Sequence, residues 1–308
     1  MSKVAYIFPG QGTQTVGMGK EFYEKVEASR KIFDQAEEVV PGLKDIIFEG
    51  PQEKLTLTAY CQPAIVTVSM AAVAALKIHP KFQEITPCFS CGLSLGEYSA
   101  LAAAEVFSVD TALRLVKKRS ALMEEATKAN PGTMAAVLGF DTEKLIDICK
   151  DEGAEIANFN SYDQVVITGK KDRVESACRE LEKQGAKRVI PLDVSGAFHS
   201  SLMQDAAVKF FDVLKTIVYN VPKFPVFTNV DGLPVRNPDN FEKLLYQQIT
   251  SSVQWVKTIE NIKEKGVTTF LELGPGNVLK GLLRKIDRSL KVINIQTPED
   301  IEKVFDNL

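Results

Sequence analysis

Ser94 is the residue of this chain that is best placed to act as a nucleophile. Its segment reads Gly-Leu-Ser-Leu-Gly over residues 92–96, between a strand-like run, 85–91, and an alanine-rich stretch, 98–106. Strand, G-x-S-x-G and helix in this order are typical of a nucleophile elbow, in which the serine sits on a strained turn. Both glycines are needed because side chains there would collide with the adjacent strand and helix. The simpler alternative is a helix start, with Ser94 as N-cap and Glu97 completing a capping box.

A serine hydroxyl is a poor nucleophile without a base, and the chain contains two histidines. His79 stands among lysines at the predicted end of a helix, where we expect it to be exposed. His199 lies where a predicted strand meets a predicted helix. It is either a partly buried histidine that caps this junction or the base for Ser94, and the order Ser then His is that of hydrolase-like folds. If Ser94 is a nucleophile, the chain offers it no other good partner.

Arg119 is a third candidate, because it lies on the apolar face of a predicted helix. Ala112, Val116 and Met123 share this face of the helix that starts at Asp110. A guanidinium directed into the core is costly to bury alone. One interpretation is a structural ion pair or a side chain that reaches solvent. The other is a bidentate clamp for a substrate carboxylate, which lysine would not reproduce.

Two glycine-rich loops are further candidates for binding. Gln11 stands between glycines directly after the first strand, where small side chains let backbone amides approach a ligand. A simple turn is the alternative there. Gly-Pro-Gly at 274–276 precedes a helix and could bind an anion, although turn chemistry explains it sufficiently.

Composition sets limits on the class of protein. The chain has 308 residues, of which 45% are hydrophobic and 25% are charged, as in soluble globular proteins. A net charge of −3 provides no bulk attraction to nucleic acid or membranes. We see no signal peptide, and the longest apolar stretch, 64–76, is too short to span a bilayer. We therefore expect a soluble, cytoplasmic protein.

The cysteines point to a reducing compartment. Their number, five, is odd and their positions are scattered, which favours free thiols. Cys88 and Cys91 lie three apart in a predicted strand, so we expect them on opposite faces of the sheet. With two histidines in the chain, a Cys/His zinc site is not expected.

The order of predicted elements indicates an α/β protein with an insertion. Strands at 4–8, 85–91, 224–228, 268–273 and 292–295 alternate with helices, as in a parallel sheet. Among the helices, one covers 21–40 and another opens at Pro63. After the Asn-Pro-Gly breaker at 130–132, the order becomes β-α-β-β-α-β, the ferredoxin-like arrangement. We predict a catalytic domain formed by 1–126 and 198–308, and a ferredoxin-like subdomain at 127–197.

A set of short segments carries a family resemblance over nearly the whole chain. They are 8–12, 58–63, 92–97, Arg119, 158–161, 197–199, Gln248, 253–255 and 272–276. In this order they resemble the malonyl-CoA:acyl carrier protein transacylases of bacterial type II fatty acid synthesis. The resemblance implies an α/β-hydrolase-like core with the ferredoxin-like insert. It also implies malonyl transfer from coenzyme A to the phosphopantetheine thiol of acyl carrier protein.

The resemblance assigns roles to individual residues. Ser94 would attack the malonyl thioester with His199 as general base, and the backbone carbonyl of Gln248 would hold His199 in place of a carboxylate. The backbone amides of Gln11 and Leu95 would form the oxyanion hole. Arg119 would bind the free malonyl carboxylate.

Three more residues, Gln62, Asn160 and Phe198, would line the cleft. In related polyketide acyltransferases Ala-Phe-His accompanies malonyl selectivity, and a bulky ring such as that of Phe198 is a reasonable steric cause. Leu93 departs from the family, whose motif is usually Gly-His-Ser-Leu-Gly. The mechanism should survive this change because the base is the other histidine, but what the usual histidine adds is in doubt.

The implied partners are malonyl-CoA and holo-acyl carrier protein, with no cofactor, metal, nucleic acid or membrane, and we expect a monomer. Lysine and arginine pairs at 170–171, 187–188 and 284–285 are candidates for carrier docking, or simply solvated charge.

Three other functions are weighed against this one. The first is a trans-acting malonyltransferase that serves a polyketide carrier protein. The second is a serine esterase, which would lack a triad acid and leave Arg119 without a role. The third is an inactive carrier-binding protein, against which the intact Ser94, His199 and Arg119 argue.

Overall fold

The computed structural model describes residues 2–307, and two β-sheets organise this part of the chain. The strands are β1 (Ser2–Phe8), β2 (Ile85–Gly92), β3 (Thr133–Leu138), β4 (Glu155–Ser161), β5 (Gln164–Gly169), β6 (Arg188–Pro191), β7 (Val226–Phe227), β8 (Pro234–Val235), β9 (Thr269–Leu273) and β10 (Lys291–Ile295). One sheet has the order β10-β9-β1-β2-β7-β8, and the other has the order β4-β5-β3-β6.

Helices cover and connect the strands. They are α1 (Lys20–Lys25), α2 (Glu27–Val39), α3 (Leu43–Glu49), α4 (Gln52–Thr56), α5 (Thr58–Lys77), α6 (Gly96–Ala103), α7 (Val109–Ala129), α8 (Thr142–Glu152), α9 (Lys171–Lys183), α10 (Gln204–Leu214), α11 (Phe241–Gln248), α12 (Trp255–Glu264), α13 (Val278–Ile286) and α14 (Pro298–Asp306). Short 3-10 turns occupy Phe82–Glu84, Ser201–Met203 and Pro238–Asn240.

The six-stranded sheet is mainly parallel and positions the candidate nucleophile. β1 pairs in parallel with β2 and with β9, and β10 pairs in parallel with β9. The edge strand β8 is antiparallel to β7. Because parallel strands end at one edge of a sheet, the loops after β1, β2 and β9 meet there. β1 is continuously buried from Val4 to Phe8, as its apolar run predicts for a strand covered on both faces.

The four-stranded sheet confirms the predicted ferredoxin-like arrangement. β3 pairs antiparallel with β5 and β6, and β4 pairs antiparallel with β5. With α8 and α9 between the strands, the chain order is β-α-β-β-α-β, and apolar side chains of both helices pack on this sheet. The limits 127–197 stay a prediction. Backbone hydrogen bonds tie β4 to the segment before α12, since Phe159 N–H donates to the Val253 carbonyl at 2.9 Å.

Two predicted helix limits are wrong. The helix expected over 21–40 is two helices, because Val26 is extended, with φ −126°. The apolar spacing continues through this break since both helices pack on the same core. The helix expected to open at Pro63 begins at Thr58, so Pro63 lies inside α5. An interior proline loses its N–H hydrogen bond and crowds the carbonyl four residues before it, and the burial of α5 in the core offsets this cost.

His79 and Cys88 also differ from expectation. His79 is not exposed: its side chain is 14% accessible, lies 3.0 Å from Glu302 and stacks on Phe305. Both partners lie on α14, a helix that was not predicted from the sequence. The register of β1 with β2 shifts at Cys88, and this bulge lets Cys88 pack against the apolar cluster that contains Cys91. All five cysteines are free thiols.

Helix α5 is the one helix of residues 2–307 that is long and apolar enough to cross a membrane, judged by length and composition. However, 83% of its most apolar window is buried inside the protein. It packs against α2 and α7 as a core helix.

Candidate active site

The turn after β2 has the strained geometry of a nucleophile elbow. Ser94 has φ +51°, in the left-handed region that non-glycine residues rarely adopt. A Cβ on Gly92 would lie 2.0 Å from the Gly96 carbonyl carbon, and one on Gly96 would lie 2.1 Å from the Phe8 carbonyl oxygen. Both positions therefore require glycine, as the sequence predicted.

The capping-box alternative for this turn is wrong. Helix α6 begins at Gly96, its N-cap is Leu95, and no side chain caps it. The carboxyl group of Glu97 does not return to the Ser94 backbone. It is fully buried and accepts hydrogen bonds from Asn229 and Gln248.

His199 is in contact with the Ser94 hydroxyl. Its Nε2 lies 2.7 Å from Ser94 Oγ, and its Nδ1 lies 2.9 Å from the backbone carbonyl oxygen of Gln248. A carbonyl only accepts, so Nδ1 carries the hydrogen and the Nε2 lone pair faces the serine. Burial, together with the charge of Arg119, lowers the pKa of His199 to about 4, so that the imidazole is neutral at pH 7.

The junction that carries His199 is capped by another residue. Ser200 caps the 3-10 turn 201–203 with its side chain, so the capping alternative for His199 is wrong. His199 itself has φ +59° and is 4% exposed. Ser94 and His199 thus both sit on strained backbone, which is typical of functional sites.

Two amide side chains hold the elbow in place. Asn229 Oδ1 accepts from Ser94 N–H at 2.6 Å, and its Nδ2 donates to the Gly92 carbonyl at 2.7 Å. Gln248 Nε2 donates to the Ser94 carbonyl at 3.0 Å. Asn229 was not among the predicted site residues. Its position just after β7, at the edge of the sheet where the elbow lies, was the signal that could have found it.

Arg119 is buried beside the serine, on the inward face of α7 as the periodicity predicted. It is 1% exposed. Its Nη1 donates to Gln62 Oε1 at 3.0 Å, and its Nη2 donates to Ser94 Oγ and to Gln248 Oε1, both at 3.3 Å. Its guanidinium lies 5.5 Å from the centre of the Tyr98 ring. Within residues 2–307 it makes no direct ion pair with a carboxylate, and its side chain does not reach solvent.

Two backbone amides at the cleft beside Ser94 have no hydrogen-bond partner in residues 2–307. Gln11 and Leu95 both line the cleft, the first after β1 and the second after the nucleophile. In the described part of the chain neither N–H donates a hydrogen bond to another group. A Cβ on Gly10 would lie 2.6 Å from the Leu93 carbonyl oxygen, so the two loops approach each other closely.

The cleft lies between the two sheets and has a volume of about 350 Å³. Gln62, Asn160 and Phe198 line it, where the resemblance placed them. The antiparallel sheet supplies one wall of the cleft, formed by Met134, Ala136, Asn158 and Val166. Of these, Asn158 lies in a segment that carries the resemblance, and the other three were not predicted. Leu93 also lines the cleft and packs against the apolar cluster that contains Leu282. No group of three or more His, Cys, Asp or Glu side chains suited to a metal occurs in residues 2–307.

The fold is that of the acyl-transfer enzymes, and a serine in contact with a histidine is an arrangement suited to acyl transfer. The family described as acyl transferase domain matches residues 5–299. The chain is 44% identical, over its full length and 98% of the relative, to the malonyl CoA-acyl carrier protein transacylase of Bacillus subtilis (strain 168). It is 39% identical to that of Staphylococcus aureus (strain MRSA252), covering 98% of both chains.

Solved structures that resemble this chain have the same activity in their names. The acyl-carrier-protein-S-malonyltransferase of Bartonella henselae superposes with a TM-score of 0.94 at 40% identity, covering 99% of each chain. A malonyl-transacylase solved in complex with its type II PKS acyl-carrier protein gives a TM-score of 0.94 at 36% identity, covering 100% of each chain. The chain belongs to the malonyl CoA-acyl carrier protein transacylase family, which confirms the resemblance.

Proposed function

We propose that this protein transfers a malonyl group from malonyl-CoA to the phosphopantetheine thiol of acyl carrier protein, for fatty acid synthesis, through a malonyl-Ser94 intermediate. The observation that carries the proposal is that His199 and Arg119 both contact the Ser94 hydroxyl. His199 Nε2 lies 2.7 Å from Ser94 Oγ, and Arg119 Nη2 lies 3.3 Å from the same oxygen. A base at this distance serves acyl transfer, and a buried cation serves an acyl group that bears a carboxylate.

The first half-reaction forms the acyl-enzyme. His199 Nε2 takes the hydroxyl proton as Ser94 Oγ attacks the thioester carbon, and the Nδ1–H bond to the Gln248 carbonyl stabilises the imidazolium that forms. The amides of Gln11 and Leu95 donate to the oxyanion, and losing one such donor typically costs about 3 to 4 kcal/mol of transition-state stabilisation. The oxyanion collapses, and His199 returns its proton to the departing coenzyme A sulfur.

Arg119 selects the acyl group. The malonyl carboxylate takes the place of Ser94 Oγ and Gln248 as acceptor, while Gln62 keeps the guanidinium in position from the other side. Phe198, at the cleft beside His199, limits the room at the acyl α-carbon, which favours malonyl over branched acyl groups.

The second half-reaction reverses the first with a new thiol. The carrier's phosphopantetheine thiol enters the cleft, gives its proton to His199 and attacks the malonyl ester. Ser94 Oγ leaves, regains the proton from His199 and is ready for another cycle, which makes the kinetics ping-pong. Every step uses side chains and amides of the protein, without a cofactor.

Docking of the carrier and cellular location belong to the same proposal. Carrier proteins are acidic, and the exposed pair 284–285 lies on α13, which lines the cleft through Val278 and Leu282. The exposed pair 187–188 lies at the start of β6, which leads into the cleft-lining residues 192–194, whereas 170–171 lines a separate depression. We assign docking to the first two pairs. The five free thiols support a cytoplasmic location.

The test is a transfer assay with malonyl-CoA and holo-acyl carrier protein, read by the mass of the carrier. We expect malonyl-carrier to form with parallel double-reciprocal lines, as a ping-pong cycle requires. Absence of malonyl-carrier would contradict the proposal. Because one structural relative is a partner of a polyketide carrier, a fatty acid carrier and a polyketide carrier should be compared. A higher kcat/KM for the polyketide carrier would favour the alternative pathway.

A further inference from the structure

Glu97 is a carboxyl group at the centre of the site that has no role in the steps above. It is 0% exposed and lies in the first turn of α6, behind the nucleophile. Its Oε2 accepts from Gln248 Nε2 at 2.8 Å and from Asn229 N–H at 3.0 Å. Its Oε1 is buried and has no partner in residues 2–307. A buried carboxyl group of this kind is costly to ionise without compensation.

The compensating charge is Arg119, and Gln248 connects the two. The amide nitrogen of Gln248 donates to Glu97 while the amide oxygen of the same side chain accepts from Arg119 Nη2 at 3.3 Å. The result is a continuous chain of carboxylate, amide and guanidinium. Both charged ends are buried, and neither forms a direct ion pair in the described chain. Such a chain lets each charge offset the burial cost of the other.

We propose that Glu97 is the resting counter-charge of Arg119, and that it is replaced in this role by the carboxylate of the acyl group. Loading of malonyl then neutralises Arg119, so Glu97 loses its compensation and binds a proton from solvent more strongly. Loading of an acyl group without a carboxylate leaves the proton affinity of Glu97 unchanged. This inference rests on the proposed function, since it assigns a proton to the same acyl-enzyme.

The charges that face Glu97 fit this exchange. Burial raises the pKa of Glu97 to about 7, hydrogen bonds from Gln248 and Asn229 and the charge of Arg119 oppose this, and Asp231 adds to it. The other titratable neighbours, Cys91 on β2 and Tyr98 on α6, have pKa values raised by burial and are neutral at pH 7. Removing the positive charge of Arg119 therefore moves the pKa of Glu97 upward from about 7.

The proton can bind to Glu97 Oε1, which has no hydrogen-bond partner in residues 2–307. A proton on Oε1 leaves both hydrogen bonds at Oε2 unchanged. Gln248 and Asn229, which hold the Ser94 backbone and the His199 ring, then keep their positions. The site can therefore change its charge without moving the reacting atoms.

The test compares two acyl donors over a range from about pH 6 to about pH 9. Wild-type protein is loaded with malonyl-CoA or acetyl-CoA in single turnovers, and the concentration of donor for half-maximal loading is read by intact mass. Uptake of a proton on binding makes malonyl affinity fall as pH rises through the pKa of free Glu97. We expect a loss of about tenfold for each pKa unit gained on loading. Acetyl-CoA, which shares the coenzyme A phosphates, should show no such loss.

Two matched variants separate charge from structure. Glu97→Gln keeps an oxygen acceptor for Asn229 and Gln248 but holds no charge, so its malonyl affinity should not depend on pH in this range. Glu272→Gln is the control, because Glu272 is also 0% exposed and burial raises its pKa to about 7, yet it caps α13 through Leu279 and Lys280. It should keep the pH-dependent loss of malonyl affinity.

Parallel pH profiles for the two donors in wild-type protein would overturn the inference while the malonyl adduct itself upholds the proposed function. A Glu97→Gln protein that is loaded poorly but keeps the pH-dependent loss would also overturn it, since Glu97 would then be only structural. If wild-type protein forms no malonyl adduct at any pH, the proposed function fails and the inference with it.

Discussion

The two histidines of this chain have opposite surroundings. His79 lies near the surface with a carboxylate partner, Glu302, at 3.0 Å, and within residues 2–307 it makes no hydrogen bond to a hydroxyl group. His199 lies in the core with a serine at 2.7 Å, and its second nitrogen faces a backbone carbonyl in place of a carboxylate. The histidine–carboxylate pair that resembles the His–Asp half of a catalytic triad, His79 with Glu302, therefore lies outside the cleft.

The difference shows what a base in this site requires. A carboxylate beside His199 would raise its pKa and favour the imidazolium, whereas burial next to Arg119 lowers the pKa and keeps the ring neutral. The Gln248 carbonyl still fixes the tautomer, which is the task of the acid in a triad. His79, held by Glu302 and Phe305, links the turn after α5 to α14 and has a structural task.

The largest expected effect is that of replacing His199, and it distinguishes a base from a structural histidine. His199→Ala should reduce the rate of malonyl loading on the order of 10⁶-fold, because the serine loses its base. Quenched intact-mass kinetics measures this rate, and the melting temperature checks the fold. Loading within tenfold of wild type would mean that another group takes the proton.

A second, smaller loss is expected at the acyl clamp. Arg119→Ala should slow malonyl loading by about 100-fold or more, since the malonyl carboxylate is left without its buried partner. Acetyl loading should be spared or improved, because it does not use the clamp. Loading rates for malonyl-CoA and acetyl-CoA, measured on the same variant, test whether Arg119 binds the malonyl carboxylate. Equal losses for the two donors would indicate that Arg119 is structural.

Acid should lower the folding stability of the protein, through His199, at a higher pH than it lowers activity. Its pKa in the folded protein is about 4, below the ordinary value of about 6.5, so the unfolded chain binds this proton first as pH falls. Stability therefore decreases from about pH 6.5 toward about pH 4, by about 2 kcal/mol at about pH 5. Urea unfolding of wild type and His199→Gln at both ends of this window measures the contribution. A wild-type slope equal to that of the variant would contradict the lowered pKa.

Leu93 should matter less than either charged residue. Leu93→His restores the residue that the family usually has, but it places a polar ring against the apolar cluster around Leu282. We expect a free energy of unfolding lower by about 1 kcal/mol and a loading rate of the same order as wild type. Denaturant unfolding and the loading assay measure the two effects. A large gain in loading would show that this chain lacks a function that the usual histidine provides.

The smallest effect is expected at the other histidine. His79→Ala removes an ion pair whose carboxylate side chain is 64% exposed, so the free energy of unfolding should fall by less than about 1 kcal/mol. Malonyl loading should not change, since His79 lies outside the cleft. A clear loss of loading would remove the contrast between the two histidines.

Sequence reasoning predicted well wherever a residue type has few possible uses. Gly92 and Gly96 allow no side chain, and Arg119 on an apolar face needs a polar site. The scarcity of histidine left His199 as the candidate partner of Ser94, and the two side chains are in contact at 2.7 Å. The order of strands and helices likewise predicted both sheets.

What was missed depends on contacts between distant segments. Val26 breaks a helix with no proline or glycine to mark it. Asn229, Glu97 and Gln248 lie far apart in the chain. Their importance to the site follows from the hydrogen bonds among them, which the sequence does not show. His79 was expected to be exposed because α14, which covers it, lies more than two hundred residues further on. Periodicity describes one element at a time, and these features arise between elements.

The central claim is that Ser94 carries the malonyl group. Protein incubated with malonyl-CoA, quenched and weighed intact should gain one malonyl group, which peptide mapping places on Ser94 and which holo-acyl carrier protein removes. Ser94→Ala should gain none. An unmodified wild-type mass, or the same adduct on Ser94→Ala, would contradict the account.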